Sequence, residues 1–304
     1  MKFRAVVHNQ QYMKEIQNII LTFAKISKEV VCILDTDRVT FSVCESQVQK
    51  IPKVWSVIEK KSGYFSEYSM EGYNKETHNK IFLTFNPVKM ASALSTLNRS
   101  SVRYIKIKLT DNQFPCLSVH VEVISINSVQ NRQIIHDVPI TIIPTRDWDE
   151  FDLPKLPLFK TMLKMPSLKS LRTLMDKIKN LSPIVTFFQT GCNQVLDNCE
   201  LSLVVETDLT TVASHYKNLS CVENPNAANV SDANDETEVN EEVNAGHQEV
   251  SCRVNSKLLA AFFSSNQILN CHMYCNIKSN SFFSIFIEIS EGVSMSCLLY
   301  TMSM

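Results

Sequence analysis

The sequence predicts an α+β protein of two similar domains, each with two helices packed on antiparallel sheet. Three observations lead there. A strand–helix–strand–turn–strand pattern occurs four times along the 304 residues. The strands alternate apolar and polar residues, the mark of antiparallel sheet with one buried face. A proline-bearing stretch, 133–159, separates the first two copies from the last two. At roughly 150 residues per domain, the length suits two domains.

The first copy has FRAVVH (3–8), then a helix around 10–26. EVVCILD (29–35) and RVTFSVCE (38–45) follow, split by the turn residues Thr36 and Asp37. The second has KIFLTF (80–85) and a helix from Pro87 to about Arg99. Pro87 suits a first helical turn and Asn86 a cap before it. YIKIKLTD (104–111) and CLSVHVEV (116–123) close this copy. Ile105, Ile107 and Leu109 share one face of their strand, and Leu117, Val119, Val121 and Val123 share one face of theirs.

The third copy has TMLKM (161–165), a helix in PSLKSLRTLMDKIKNLS (166–182) capped by Ser167 after Pro166, PIVTFFQ (183–189) and ELSLVVE (200–206). The fourth has EVSCRV (249–254), the helix SKLLAAFFSS capped by Asn255 or Ser256, ILNCHMYCNI (268–277) and FFSIFIEIS (282–290). Further strand candidates lie between copies: KVWSVIEK (53–60), EYSMEG (67–72), TTVASHYK (210–217) and VSMSCLLYTM (293–302). The domains are therefore expected at 1–132 and 160–304. Pro139, Pro144, Pro154 and Pro157 make 133–159 an extended linker, with VPITII adding one strand. Residues 221–248 carry seven acids, no Lys or Arg and no aromatic. Such a segment cannot bury enough apolar area to offset its ordering entropy, so a disordered acidic loop is expected.

Composition narrows the function classes. Hydrophobic content is 44%, charged content 20% and formal net charge −1. Net charge alone thus gives no warrant for nucleic-acid binding, and any cationic surface has to be local. The ten cysteines are scattered, and MKFRAVVHNQ does not read as a secretory signal. No stretch approaches the 18 or so apolar residues of a membrane span. A reduced compartment, cytosol or nucleus, is expected, with the cysteines mostly small core residues and the sequons at Asn98, Asn180, Asn218 and Asn229 unglycosylated.

Catalytic motifs are absent. The five glycines form no phosphate-cradling loop, and neither G-x-S-x-G nor H-E-x-x-H occurs. Cys271 and Cys275 flank His272, but on a strand the two thiols lie about 13 Å apart, too far to chelate one zinc. The seven histidines are scattered. The chain reads as non-enzymatic, without cofactor or metal. A globular enzyme with a Cys- or His-based site is the third class considered, and no motif supports it.

The helix faces are more informative. At about 100° per residue, Leu168, Leu171, Leu174, Met175, Ile178 and Leu181 define the core side of the third helix. Lys169, Thr173, Asp176 and Asn180 lie opposite, Arg172 and Lys177 flank them, and Lys179 nears the core boundary, where it has to snorkel. The first helix buries Met13, Ile16, Ile19, Ile20, Phe23 and Ile26, with Lys14, Asn18, Leu21 and Lys25 opposite. The second buries Met90, Leu94 and Leu97, with Ser92, Thr96 and Arg99 on the far face and Lys89 alongside. The last buries Leu258, Leu259, Phe262 and Phe263, leaving Lys257, Ala260, Ala261 and Ser264 outside. Four helices thus carry sparse cations away from the core. Two or three cations per helix against one phosphate per roughly 1.7 Å of duplex imply weak, salt-sensitive, sequence-independent contact. Recognition helices would instead aim Asn, Gln and Arg at base edges.

Four such units, paired around a central linker, resemble a PCNA-like sliding clamp. MKFRA, GYFSEYSMEG (63–72), IKIKLT (105–110), FPCLSV (114–119), HDVPITIIP (136–144), KIKNLS (177–182) and HYKNLS (215–220), in this order, resemble the Hus-one family, one of three subunits of the heterotrimeric checkpoint clamp. The resemblance is weakest over 46–63, 145–160 and the acidic loop. It implies a non-enzymatic nuclear, also cytoplasmic, protein that joins Rad-nine-like and Rad-one-like subunits. A clamp loader would place that ring on double-stranded DNA at recessed ends, where it recruits checkpoint and repair proteins. It implies that Lys14, Lys25, Lys89, Arg99, Lys169, Arg172, Lys177 and Lys257 face DNA. It also implies subunits joined through edge strands, for which the candidates are 116–124 (Cys116, Ser118, His120, Glu122) and 210–217 (Thr211, Ala213, His215). A homotrimeric replication processivity clamp is the alternative within the same fold.

Overall fold

The computed structural model describes residues 1–43, 52–74, 79–98, 101–111, 113–124, 132–154, 156–157, 159, 161–191, 197–223, 250–268 and 271–302. The elements run β1 (Lys2–Val7), α1 (Gln10–Ile26), β2 (Val30–Leu34), β3 (Arg38–Val43), β4 (Lys53–Glu59), β5 (Glu67–Glu71), β6 (Ile81–Phe85), α2 (Pro87–Ala93), β7 (Val102–Asp111), β8 (Pro115–Val123) and β9 (Arg132–Ile142). They continue β10 (Thr161–Lys164), α3 (Leu168–Ile178), β11 (Ile184–Thr190), β12 (Asp197–Glu206), β13 (Thr211–Glu223), β14 (Val250–Asn255), α4 (Ser256–Ser265), β15 (His272–Lys278), β16 (Phe282–Ser290) and β17 (Val293–Tyr300). The fourfold strand–helix–strand–strand repeat is present. Short 3-10 turns follow β4 (Lys60–Ser62), α2 (Leu94–Asn98) and β9 (Thr145–Phe151).

Two compact units form. The first comprises Met1–Leu153, Ser264–Cys271 and Glu288–Ser296; the second comprises Pro154–Phe263, His272–Ile287 and Cys297–Met304. No single cut in the sequence separates them.

In the first unit one antiparallel sheet runs β5, β1, β7, β8, β9. A second runs β9, β6, β2, β3, β4. The strand β9 serves both. Arg132–Pro139 pairs with β8, and Ile140–Ile142 pairs with β6. Pro139 is the last residue registered against β8, a position where a residue without an N–H is tolerated because the ladder is changing partner. Beyond β4 the segment Glu288–Ser296 closes the sheet: Ser56 Oγ donates to Ser294 O at 2.8 Å and Glu59 N to Gly292 O at 2.8 Å. Phe3, Leu34, Ile58 and Met90 line one apolar gap with Ile16 and Ile20 of α1, so strands from both sheets share a core with both helices.

The stretch expected as a linker is more structured than that reading. Val31, Ile33 and Phe82 form an apolar patch with Ile143, and Trp148 and Phe151 pack on it. The indole stacks on Phe82 at 4.6 Å, and its N–H donates to Ile143 O at 3.0 Å.

The second unit repeats the plan. One sheet runs β14, β11, β12, β13, and the end of β13 (Cys221–Glu223) crosses to pair with β10, which also pairs with β15. Phe187 of β11 stacks on Phe283 of β16 at 4.2 Å, with both rings fully buried. The segment 221–248, expected as an acidic loop, therefore begins as strand; 224–248 lies outside the described residues.

The strand expected at a sheet edge, 116–124, is an interior strand. β8 is paired by β7 on one side over Pro115–Val123 and by β9 on the other over Cys116–Val123. Its alternate polar residues are consequently covered: Ser118 and His120 are buried, and Glu122 is half-buried. Burial, and further the nearby Lys108 and Lys106, push the His120 imidazole below its ordinary range. Its ring contacts the Ser118 hydroxyl and the Gln133 amide. Among the described residues, Arg132–Pro139 of β9 is registered against β8 alone, and Ile135 there is 53% exposed. In the second unit Thr211–Tyr216 of β13, with Ala213 and His215, is registered against β12 alone among the described residues.

Gly63 and Gly292 adopt left-handed backbone, at φ 70° and 69°. They differ in what a side chain would meet. A Cβ at Gly63 finds open space, whereas one at Gly292 lands 2.5 Å from Ser62 Cβ. Gly63→Ala is expected to cost about 1 kcal/mol from backbone conformation alone, and Gly292→Ala about 2–3 kcal/mol. Urea unfolding of both variants checks the order; equal midpoints would contradict it.

Candidate nucleic-acid interface

Each helix starts on a neutral cap. The Asn9 carboxamide oxygen accepts from Gln11 N at 2.8 Å, and that of Asn86 accepts from Val88 N and Lys89 N at 2.9 and 3.2 Å. Ser167 Oγ accepts from Ser170 N at 3.3 Å. Asn255, rather than Ser256, caps α4, accepting from Lys257 N and Leu258 N at 3.0 Å each. The Ser256 hydroxyl instead donates to Ser182 O at 2.5 Å. No helix has an acid in its first turn. Asp and Glu are the residues a helix dipole favours there.

In the first unit α1 buries Met13, Ile16, Ile19, Ile20 and Phe23, with Gln17 and Thr22 buried beside them. Ile26, expected in the core, is half-buried because it ends the last turn. Gln17 Nε2 donates to Leu94 O, at the C-terminal end of α2, at 3.1 Å. A buried neutral bond of this kind contributes about 1 kcal/mol net. Lys14, Lys25 and Lys89 are exposed. Arg99 lies outside the described residues. Glu15, the acid on α1, is turned away from them. Its carboxylate accepts from Tyr64 OH at 3.0 Å, Ser290 Oγ at 2.9 Å and Gln11 Nε2 at 3.0 Å. Burial, then Glu15 itself, push the Tyr64 phenol well above its usual range, so it stays protonated as a donor.

In the second unit α3 buries Leu168, Leu171, Met175 and Ile178, leaving Lys169 and Lys177 exposed. Both line an open recess with Ser170, Thr173 and Tyr216. Asp176, expected at the centre of the polar face, is bridged by Lys179 at 2.7 Å, so its charge is offset locally. Lys257 is exposed at the start of α4. Ala260, expected outside, is buried, and Leu258, expected in the core, is half-buried, so the α4 stripe is rotated from that reading.

Arg172 corrects the expected set. Its side chain is half-buried, and Nε donates to Phe263 O in the last turn of α4 at 3.1 Å. A guanidinium at a helix C-terminus satisfies a carbonyl and complements the dipole. Arg172 thus does for α3 and α4 what Gln17 does for α1 and α2: the first helix of a pair donates to a carbonyl ending the second. Neither tie has a local cue along the chain, because each partner lies more than 70 residues away. The exposed lysines that remain are Lys14, Lys25 and Lys89 in one unit and Lys169, Lys177 and Lys257 in the other. Among the described residues these lysines flank no convergent acid–base pair. Ser202, His215 and Glu200 do cluster, but both contacts meet the same ring nitrogen, Nδ1, at 2.8 and 3.0 Å. A relay needs one nitrogen for each partner.

The chain is similar to known proteins over nearly its whole length. The family described as Hus1-like protein matches residues 1–303. The Drosophila melanogaster protein named Checkpoint protein Hus1-like is 33% identical over 300 residues, covering 98% of each chain. Checkpoint protein HUS1 of Homo sapiens is 29% identical over 303 residues, covering 100% of each. Among solved structures, proliferating cellular nuclear antigen of Entamoeba histolytica superimposes with a TM-score of 0.65 at 10% identity, covering 99% of both chains. PCNA of Thermococcus kodakaraensis gives 0.61 at 13% identity over 99% of this chain and 100% of its own. At such identities the two structures speak for the fold, which is the PCNA-like α+β clamp fold. With the family match spanning the chain end to end, the protein belongs to the Hus1-like family.

Proposed function

We propose that this chain is one subunit of a heterotrimeric, DNA-encircling checkpoint clamp and acts as a scaffold without catalysis. The observation that carries the reading is a pair of strand edges open among the described residues, Arg132–Pro139 of β9 in one unit and Thr211–Tyr216 of β13 in the other. A row of unpaired backbone groups calls for a partner strand, and an edge of this kind in each unit suits a ring in which each subunit has two neighbours. Rad-nine-like and Rad-one-like chains are the partners the family relation suggests. A clamp loader would place the ring on double-stranded DNA at recessed ends, in the nucleus. Lys14, Lys25, Lys89, Lys169, Lys177 and Lys257 would face the duplex, a sparse cationic lining suited to sliding. The deciding experiment is co-purification with the two candidate partners, followed by mass measurement. One copy of each chain is expected. Self-trimerisation of this chain alone would overturn the heterotrimer.

Ile135→Lys tests the β9 edge. The side chain is exposed in the free chain, so folding stability should change by less than about 0.5 kcal/mol. Burying an isoleucine is worth about 1.5–3 kcal/mol, so affinity for a partner subunit should fall about tenfold or more. Titration of labelled subunits checks this, and unchanged affinity would move the interface elsewhere.

Replacing the six lysines by Ala in the assembled ring should weaken retention on DNA. The slope of log K against log salt should flatten by about 0.9 for each phosphate that no longer meets a lysine. Arg172→Ala should leave that slope alone and instead lower stability by about 1–3 kcal/mol, through the carbonyl it abandons. Salt titrations and urea unfolding separate the two outcomes.

A further inference from the structure

Cys199 of β12 and Cys221 of β13 place their sulfur atoms 3.1 Å apart. Both are buried and in the thiol form, 0% and 8% exposed. They lie just past a break in register. The regular pairing of β12 with β13 reaches Leu201↔Tyr216, and the next pair toward the start of β12 is Cys199↔Leu219. Two residues advance on β12 against three on β13, so β13 bulges there. Asn218, within the bulge, has φ 57°, a left-handed conformation that Asn tolerates better than most residues. Just past it, Cys221 pairs with Leu163 of β10. The thiol pair therefore sits at the point where β13 leaves one sheet for the other, five residues past its open edge.

Two further facts favour thiol–thiol chemistry. Among the described residues no group of three or more His, Cys, Asp or Glu is placed to hold a metal ion. A separation of 3.1 Å leaves only about 1 Å to close before a sulfur–sulfur bond of about 2.05 Å is reached.

We propose that Cys199 and Cys221 form a reversible disulfide that staples β13 to β12 just past the bulge. The oxidant is a low-molecular-weight disulfide of the glutathione class. The thiolate of Cys221, the more exposed of the two, attacks one sulfur of that disulfide and expels the other half as a thiol. The Cys199 thiolate then attacks the Cys221 sulfur of the mixed disulfide and expels the second half. The two protein thiols lose two protons and two electrons, and the oxidant leaves as two thiols. The cross-link joins positions 22 residues apart and holds the open edge Thr211–Tyr216 against one of its ends.

The test uses the full chain, purified reduced, incubated with oxidised glutathione, blocked with N-ethylmaleimide and mapped by peptide mass spectrometry. The expected product is a peptide pair linked through Cys199 and Cys221, with an intact mass lower by two hydrogens. Dithiothreitol should reverse it, and the oxidised form should melt several degrees higher. Cys199→Ser should stall at a glutathione adduct on Cys221, and Cys221→Ser should give neither adduct nor link. The wild-type map needs no variant, so a poorly folded serine variant leaves it decisive. A map without the 199–221 link, or a link formed only after denaturation, overturns the proposal.

Discussion

Backbone N–H and C=O groups buried in a sheet have to be paired, and a sheet that is not closed keeps one row unpaired at each edge. The rest of this molecule is arranged around that constraint. β9 and β13 each serve two sheets, completing one ladder with their first part and another with their last. Sharing a strand joins the sheets and leaves the first part of each strand registered on one side only among the described residues. The same economy explains why the changeover points are unusual in sequence. β9 changes partner at Pro139, which has no N–H to place, and β13 changes through a bulge with left-handed Asn218. The helices then cover the sheets, tied in pairs by Gln17 and Arg172.

The helix surfaces owe their positive character as much to where acids are put as to where lysines are. Glu15 is drawn aside by Tyr64 and Ser290, and Asp176 is answered by Lys179. A chain of net charge −1 can therefore present locally cationic helices. Charge is sorted by hydrogen bonding, residue by residue, rather than by composition.

Much of the fold was legible in the sequence because it rests on local periodicity. The four repeats, the caps at Asn86 and Ser167, and most core residues of α1 and α3 follow from 2.0 and 3.6 spacings read along the chain. What failed depended on neighbours distant in sequence. CLSVHVEV has the alternation of a half-buried strand, yet lies between β7 and β9, because nothing in its own residues says how many partners it has. The clue was in RQIIHDVPITI, whose proline and alternation mark a strand changing partner, and the prolines there suggested a linker instead. Arg172 looked like surface charge because its acceptor, Phe263 O, lies 91 residues away. The rotation of α4 was hidden for a related reason. With Leu258, Leu259, Ala260 and Ala261 in a row, its apolar stripe is broad and only packing picks its centre.

The neutral caps have an electrostatic consequence of their own. An aspartate at each helix start would have cancelled part of the positive pole of that helix. Asn9, Asn86, Ser167 and Asn255 bind the free N–H groups without adding charge, and the first turns contain no acid. Each helix keeps close to the half elementary charge that its aligned peptide groups provide. That part of the potential belongs to the main chain, so side-chain substitution cannot remove it, and no acetylation or methylation of lysine can switch it off.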